Sequence, residues 1–160
     1  MRDIVNNTTS HRIVTIDDRP DLLPQVIEWE RSEWGDAWGE DVRHFVEQEG
    51  GKTVFVMLDC SVPIGCAMLL RYDMTTRKDL SPWLGGIYVD KEYRQQGVAS
   101  ELVLHALEIA RQLNTATWWL YTASSRSLYE RLGWKFVETC QYEGETVTIM
   151  RFDFSAERSR

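Results

Sequence analysis

The segment I-Y-V-D-K-E-Y-R-Q-Q-G-V-A-S-E-L, residues 87–102, shows how the middle of the chain is organised. Its first residues are typical of a β-strand, a short polar turn follows, and a periodic apolar helix then continues to Leu113. The start of a helix exposes unpaired N–H groups and the positive end of the helix dipole. Because Gly97 and Ala99 are small, phosphate oxygens can approach this backbone closely. The segment therefore predicts a pyrophosphate-binding turn, although it contains neither G-x-x-x-x-G-K-[ST] nor G-x-G-x-x-G.

Apolar patterning on both sides of this segment predicts an α/β protein with one domain over residues 1–160 and a core over residues 11–154. Strands are expected at residues 11–16, 52–58, 64–72, 83–90, 117–122, 134–142 and 146–154. Helices are expected after Asp21, which can cap the first of them, and at residues 41–48, 97–113 and 124–132. Gly35 and Gly39 predict a loop over residues 34–39, and the adjacent Gly85 and Gly86 predict a bulge or a close backbone approach.

Composition excludes several classes of protein. The 25 acidic and 18 basic side chains give a net charge of -7, so the chain lacks the basic excess of a nucleic-acid-binding protein. Cys60, Cys66 and Cys140 have no C-x-x-C spacing, which favours reduced thiols and no metal site. No apolar run reaches the roughly 20 residues that cross a bilayer, and the amino end has no export signal. We therefore expect a cytoplasmic protein that binds neither nucleic acid nor membrane.

Acidic residues and tryptophans concentrate in residues 28–49. This window holds eight acids against two arginines, together with Trp29, Trp34 and Trp38. One interpretation is a solvated helical face whose indoles turn to the core. The other is an anionic and aromatic surface that attracts a cation, because low-dielectric walls focus the field of clustered carboxylates. The sequence leaves both interpretations open.

Two motifs resemble those of one family. The segment Arg94-Gln95-Gln96-Gly97-Val98-Ala99 resembles the Q/R-x-x-G-x-G/A signature of the GNAT superfamily of acyl-CoA N-acyltransferases. The segment L-Y-E-R-L-G-W at residues 128–134 is similar to a second motif of that family. The resemblance implies a mixed α/β sheet of six or seven strands, flanked by about four helices. It also implies that the sheet splays between its fourth and fifth strands, where acetyl-CoA enters.

By position, the resemblance implies cofactor contacts along the fourth strand and the turn after it. The strand backbone would meet the pantetheine arm and the thioester carbonyl, and the turn would meet the pyrophosphate. The expected cofactor-binding residues are Ile87, Tyr88, Val89, Arg94, Gln95, Gln96, Gly97, Val98, Ala99, Ser100 and Ser124. Ser124 stands near the place of an asparagine in many relatives. Ser125 is an equal alternative, and either serine can instead be a helix cap.

The resemblance also implies a general acid. Tyr129 matches a tyrosine that many relatives place near the sulfur of coenzyme A. A phenol with a pKa of about 10 can protonate a thiolate leaving group with a pKa of about 8.5. The alternative is a tyrosine that only packs the helix against the sheet. The base is less defined, because residues 83–89 contain no acid; the candidates are Asp90, Glu33 and the Tyr88 hydroxyl acting through water.

The expected function is transfer of an acetyl group from acetyl-CoA to a primary amine, directly within a ternary complex. Relatives usually hold the acceptor between the loop joining the first two helices and the closing hairpin. Here that position predicts a small cationic amine or a peptide amine in contact with Trp29, Glu33, Trp34 and Trp38. Two alternatives stay open: a catalytically silent acyl-CoA-binding or sensing module, and a structural domain whose tryptophans form an interface, as in a homodimer.

Overall fold

Seven strands form a single sheet in the computed structural model, which describes residues 10–154. The strands are β1 (His11–Thr15), β2 (Val54–Asp59), β3 (Val62–Leu70), β4 (Trp83–Val89), β5 (Thr117–Thr122), β6 (Lys135–Tyr142) and β7 (Glu145–Asp153). The α-helices of this part of the chain are α1 (Leu23–Trp34), α2 (Asp36–Glu49), α3 (Val98–Gln112) and α4 (Arg126–Arg131). The strand order is β1-β2-β3-β4-β5-β7-β6, and among these seven described strands only β4 and β5 pair in parallel.

Alternating side chains divide the core between the two faces of the sheet. One face packs against α3 and α4 through residues such as Phe55, Leu84 and Leu102. The other packs against α1 and α2 through residues such as Val26 and Trp83. Because both faces are covered, β2 and β3 are almost continuously apolar, and this apolar pattern makes them recognisable in the sequence.

The sheet opens between β4 and β5. These two strands share one register pair, Trp83 with Trp119, at the beginning of β4, and the later residues of β4 have no partner on β5. On its other edge β4 carries a bulge: Met68 pairs with Gly85 and Cys66 pairs with Tyr88, so Gly86 and Ile87 fall outside the register with β3. The predicted mixed sheet, its splay and the bulge at the glycine pair are therefore confirmed.

The first two helices correct the predicted loop over residues 34–39. Only Gly35, with φ of 99°, separates α1 from α2, and α2 continues through Gly39. A methyl group on Gly39 would lie 3.1 Å from Cβ of Arg31, so this glycine lets the two helices approach closely and does not break α2. The predicted cap was also wrong. Asp21 lies in a 3₁₀ turn paired with Arg19, and the helix begins later, at Leu23.

The loop between β3 and β4 crosses to the closing hairpin of β6 and β7. Its Thr75 N–H donates a hydrogen bond to the Tyr142 hydroxyl over 3.2 Å, and its Arg77 pairs with Glu138 of β6. These contacts fix the loop beside the opening of the sheet. None of the helices within residues 10–154 has the length and apolarity needed to cross a bilayer.

Candidate active site

The turn before α3 presents unpaired backbone amides. Gln95 and Gly97 adopt positive φ values of 62° and 83°, and the helix begins at Val98 without a side-chain cap. The first helical bond runs from the Glu101 N–H to the Gly97 carbonyl over 3.1 Å. The amides of residues 98–100 therefore have no hydrogen-bond partner within residues 10–154. A methyl group on Gly97 would meet nothing within 4 Å, so the space beside this residue of the turn is open.

Arg94 is held beside this turn. Its Nε donates to the Val89 carbonyl over 2.9 Å, and its guanidinium lies 5.5 Å from the centre of the Tyr88 ring. The Tyr88 ring also stacks on Trp29 of α1, with 5.4 Å between ring centres. These contacts leave the Arg94 side chain exposed but oriented, as a cation that binds phosphate must be.

A buried carboxylate lies under the bulge of β4. Glu30 is completely buried, on the face of α1 that also carries Val26. Its Oε2 accepts a hydrogen bond from Trp38 Nε1 over 2.8 Å, and its Oε1 lies 3.4 Å from the Cys66 Sγ. A methyl group on Gly86 would lie 2.8 Å from Oε1, so the carboxylate occupies the space that a side chain on the bulge would fill.

Burial controls the proton affinity of this carboxyl. Loss of hydration raises the pKa of Glu30 to about 8, against the opposing effect of the Trp38 and Cys66 hydrogen bonds. The negative charges of Asp73 and Glu33 raise this pKa further. Glu30 is therefore a carboxyl that can gain and lose a proton near neutral pH, which is the property required of a general base.

A second carboxyl reaches the same strand from the loop between β3 and β4. A methyl group on Gly85 would overlap the Asp73 carboxylate. Burial, followed by the charge of Glu143, raises the pKa of Asp73 to about 7. Tyr121 of β5 lies on this side of the opening and stacks edge-on with Tyr142, with 5.4 Å between ring centres. Burial and the Asp73 charge raise the pKa of Tyr121, so its hydroxyl stays neutral.

The sequence matches the model of a family described as "Acetyltransferase (GNAT) family" over residues 23–134, which is most of the chain and contains the turn, Glu30 and Asp73. The chain belongs to this GNAT acetyltransferase family. The protein is therefore an acyltransferase whose cofactor is acetyl-CoA, which releases coenzyme A. No curated protein matches the sequence.

Solved structures show the same fold at low sequence identity. The chain is similar to a chain of the NatC complex bound to Gag peptide and CoA, with 18% identity, a TM-score of 0.73, and coverage of 91% of this chain and 99% of that chain. It is similar to aminoglycoside 6'-N-acetyltransferase complexed with coenzyme A, at 17% identity, a TM-score of 0.69, and 89% and 96% coverage. Ard1 from Thermoplasma volcanium is 15% identical, with a TM-score of 0.69 and 90% and 97% coverage.

The turn of this GNAT protein fits the diphosphate of its cofactor. Three unpaired amides and the oriented Arg94 supply hydrogen-bond donors and positive charge for phosphate oxygens. The open space at Gly97 leaves room beside them. Gln95 and Gln96 are exposed in the same turn, although Gln96 Nε2 already donates to the Glu92 carbonyl over 3.0 Å. Along β4, Ile87 and Val89 pack toward the α3 face, and Tyr88 packs toward α1.

The predicted residues of the thiol side lie around α4. Tyr129 is 7% exposed and packs edge-on with Trp134, and its hydroxyl makes no hydrogen bond within residues 10–154. Burial raises the pKa of Tyr129 to about 12, so its hydroxyl keeps its proton. Thr122 Oγ1 accepts the Ser125 N–H over 3.0 Å, and Ser125 is the cap residue of α4 without a side-chain bond. The Ser124 side chain is exposed and makes no hydrogen bond to other described residues.

The structure separates Asp90 from Glu30 and Asp73. Asp90 Oδ1 accepts the Glu92 N–H over 3.1 Å and caps the 3₁₀ turn Lys91–Tyr93, beyond the end of β4. This local bond engages the carboxylate on the cofactor turn. Glu30 and Asp73, by contrast, reach the bulge itself.

The predicted acceptor residues divide into three environments. Trp29 is 6% exposed, and its stacking on Tyr88 makes it part of the core. Trp34 is 38% exposed at the end of α1, and Glu33 is exposed beside it. Trp38 is half-buried and turns its indole N–H to Glu30. Much of the acidic window is a solvated face, where Glu28 and Asp36 pair with Arg31, and Glu40 pairs with Arg43.

Proposed function

We propose that this GNAT protein acetylates a primary amine on a cationic acceptor, by direct transfer in a ternary complex, with Glu30 as the general base. The observation that carries the proposal is the completely buried Glu30 carboxylate packed against the β4 bulge. Acetyl-CoA supplies the acetyl group as a thioester when it is bound. The residues of the chain then hold the two substrates and move two protons.

The raised pKa of Glu30 suits removal of a proton from an ammonium. The pKa of an alkylammonium, about 10.4, is about 2 units above the Glu30 pKa of about 8, so moving a proton from the ammonium to Glu30 costs about 3 kcal/mol. At the ordinary value of 4.5 the gap would be about 6 units, or about 8 kcal/mol. Burial therefore removes much of the cost of forming the neutral amine that attacks.

The two proton-transfer residues lie on opposite faces of the open sheet. Tyr129 of α4 belongs to the core between the sheet and helices α3 and α4. Glu30 of α1 lies on the other side of the sheet, among residues of the second core. This arrangement suits a cofactor that enters from the α3 side and an acceptor that enters from the α1 side. Glu30 would take one proton from the ammonium before attack, and the Tyr129 hydroxyl would give its proton to the departing thiolate. The second proton of the attacking nitrogen would then restore the Tyr129 phenol.

The acidic groups around the bulge favour a cationic acceptor, because an ammonium stabilises their ionised forms. Glu30 and Asp73 lie next to β4, and Glu33 and Glu143 are close enough to raise the pKa values of these two carboxyls. The Tyr121 and Tyr142 rings line the same side. Carboxylates beside aromatic faces in a desolvated site attract an ammonium group more strongly than they would in water.

The test is an acceptor panel with acetyl-CoA, in which released thiol is measured for amines of different charge over a salt series. We expect cationic amines to be preferred and their kcat/KM to fall with added salt. Glu30→Gln should lower kcat by at least about 10²-fold while coenzyme A still binds. Glu28→Gln, the same change on the exposed face of α1, should leave kcat unchanged.

Two outcomes would contradict the proposal. Full activity of Glu30→Gln at all pH values would remove Glu30 from the reaction. Tight coenzyme A binding without thiol release on any amine would favour the silent binding module.

A further inference from the structure

We infer that Cys66 and Trp38 are positioning residues for Glu30, and that the Cys66 thiol turns between the Glu30 carboxylate and the Gly86 carbonyl as Glu30 loses and gains a proton. This inference rests on the proposed role of Glu30 as the base. It adds two residues, one on β3 and one on α2, that need not touch either substrate.

Each oxygen of the carboxylate has its own protein donor. Trp38 Nε1 is 2.8 Å from Oε2, and Cys66 Sγ is 3.4 Å from Oε1. Because Glu30 and Cys66 are both completely buried, bulk water does not reach them to replace either donor. A buried carboxylate without donors is strongly disfavoured, so the two contacts keep the ionised form accessible and fix its orientation.

The thiol has a second acceptor at almost the same distance. Cys66 Sγ lies 3.5 Å from the Gly86 carbonyl oxygen, and a thiol has only one hydrogen to donate. When Glu30 is ionised, the S–H donates to Oε1. When Oε1 takes a proton, the new O–H becomes the donor, the sulfur accepts, and the S–H turns to the Gly86 carbonyl. A rotation about the Cβ–Sγ bond thus satisfies the buried groups in both protonation states.

The groups that face Glu30 come from several elements. Cys66 lies on β3 and Trp38 on α2, while Glu33 follows on its own helix and Asp73 comes from the β3–β4 loop. From β5, the titratable Tyr121 interacts with the Glu30 charge, and from β4 the Tyr88 phenol stacks under Trp29, the neighbour of Glu30. Of these, Cys66 and Trp38 are the ones that donate hydrogen bonds to the carboxylate, so their removal should change its proton affinity most directly.

The test is a series of variants whose effects differ in sign. Cys66→Ser replaces the thiol with a stronger donor of similar size that can reach the same two acceptors, so the acidic limb of the kcat/KM pH profile should move to lower pH. Cys66→Ala removes the donor, so the limb should move to higher pH. Trp38→Phe keeps the ring and removes its N–H, and should also move the limb to higher pH. Because hydrogen bonds to charged groups are worth about 1.5–3 kcal/mol, we expect a shift of about 1–2 pH units for Trp38→Phe and a smaller shift for the weaker thiol.

A second measurement does not depend on activity. Titration of the carboxyl infrared band of the apoprotein, assigned by its loss in Glu30→Gln, should show the same ordering of pKa values. Cys60→Ser and Cys60→Ala make the same changes at an exposed cysteine in the β2–β3 turn and should shift neither readout. Thermal unfolding and coenzyme A affinity report whether each variant is folded.

The outcomes separate the two proposals. Suppose that Glu30→Gln is inactive, but that Cys66→Ser and Cys66→Ala leave the acidic limb of the pH profile in place or move it in the same direction. That result overturns this inference and leaves Glu30 as the base. Retained activity in Glu30→Gln overturns the proposed function first. If Cys66→Ala does not fold, Cys66→Ser and Trp38→Phe still predict opposite shifts, and equal shifts in these two refute the inference.

Discussion

Replacing Gly86 with alanine tests whether the Glu30 carboxylate is packed against the β4 bulge. The new methyl group would lie 2.8 Å from Glu30 Oε1 and 2.8 Å from Met68 Cε, closer than side-chain carbons normally come. Gly86 also has a φ of 58°, a conformation that L-residues adopt at a cost. The substitution therefore adds backbone strain and a collision with the proposed base.

A second glycine separates these two effects. Gly144 in the β6–β7 turn has a φ of 81°, but a methyl group there would meet nothing within 4 Å. Gly144→Ala should cost only the backbone strain, about 1–2 kcal/mol. Gly86→Ala should cost about 1–3 kcal/mol more, as overpacked core positions do. For a chain of 160 residues this difference corresponds to about 2–12 °C in Tm.

The assay combines unfolding with kinetics. Denaturant unfolding gives the two stability changes, and thiol release gives kcat, which we expect to fall about 10²-fold in Gly86→Ala because a small displacement of a reacting group is costly. In a Glu30→Ala background the additional cost of Gly86→Ala should shrink, because one of the two colliding atoms is gone. Equal destabilisation by Gly86→Ala and Gly144→Ala, with kcat unchanged, would refute the contact between the bulge and the base.

Three further predictions concern pH, the acid and the cofactor turn. The pKa of Glu30 is about 8 in the folded protein against 4.5 for an ordinary glutamate. Its contribution to the free energy of unfolding is therefore complete below pH 4.5 and is lost as pH rises toward 8, by at most about 1.4 kcal/mol per pH unit. Glu30→Gln should flatten this decline in urea unfolding, and an unchanged slope would argue against burial of the charge. Tyr129→Phe should lower kcat by about 10²-fold without weakening coenzyme A binding. Tyr72→Phe, at a half-exposed position, should change neither kcat nor coenzyme A affinity. A loss of stability in Tyr129→Phe without a loss of kcat would mark Tyr129 as a packing residue. Arg94→Glu combined with Gly97→Val should weaken coenzyme A binding by about 10–100-fold in calorimetry. Arg12→Glu, the same charge reversal at an exposed position on β1, is the control and should leave the affinity unchanged. Unchanged affinity in the double variant would rule out the turn as the phosphate site.

Much of the fold was predictable because its signals are local. The apolar runs of β2 and β3, the periodic α3 and the glycine turn of the closing hairpin each follow from short-range patterning. The loop predicted at Gly39 was wrong because the signal there is not local. A glycine inside a helical pattern indicates either a break or a close contact, and only the position of Arg31 on the neighbouring helix decides between them.

The sequence indicates the position of Glu30 but not that of Asp73. Glu30 follows Val26 and Ile27 at helical spacing, so the apolar stripe of α1 indicates an acid on the buried face, but it does not indicate which strand that face covers. Asp73 gave no such signal. Its place depends on the Thr75 and Arg77 contacts that hold the loop against the closing hairpin, residues more than sixty positions away.

The absence of an acid in residues 83–89 and the presence of two glycines there have a common explanation. A side chain on Gly86 would collide with Glu30 Oε1, and one on Gly85 would collide with the Asp73 carboxylate. The strand thus lacks side chains at the two points where carboxyls arrive from α1 and from the β3–β4 loop. A carboxyl brought in from a second layer is covered on both sides and loses its hydration, which a group projecting from the open strand would retain. The glycine pair that loosens β4 into a bulge is therefore also what admits the carboxyl whose raised pKa suits it to take a proton from an amine.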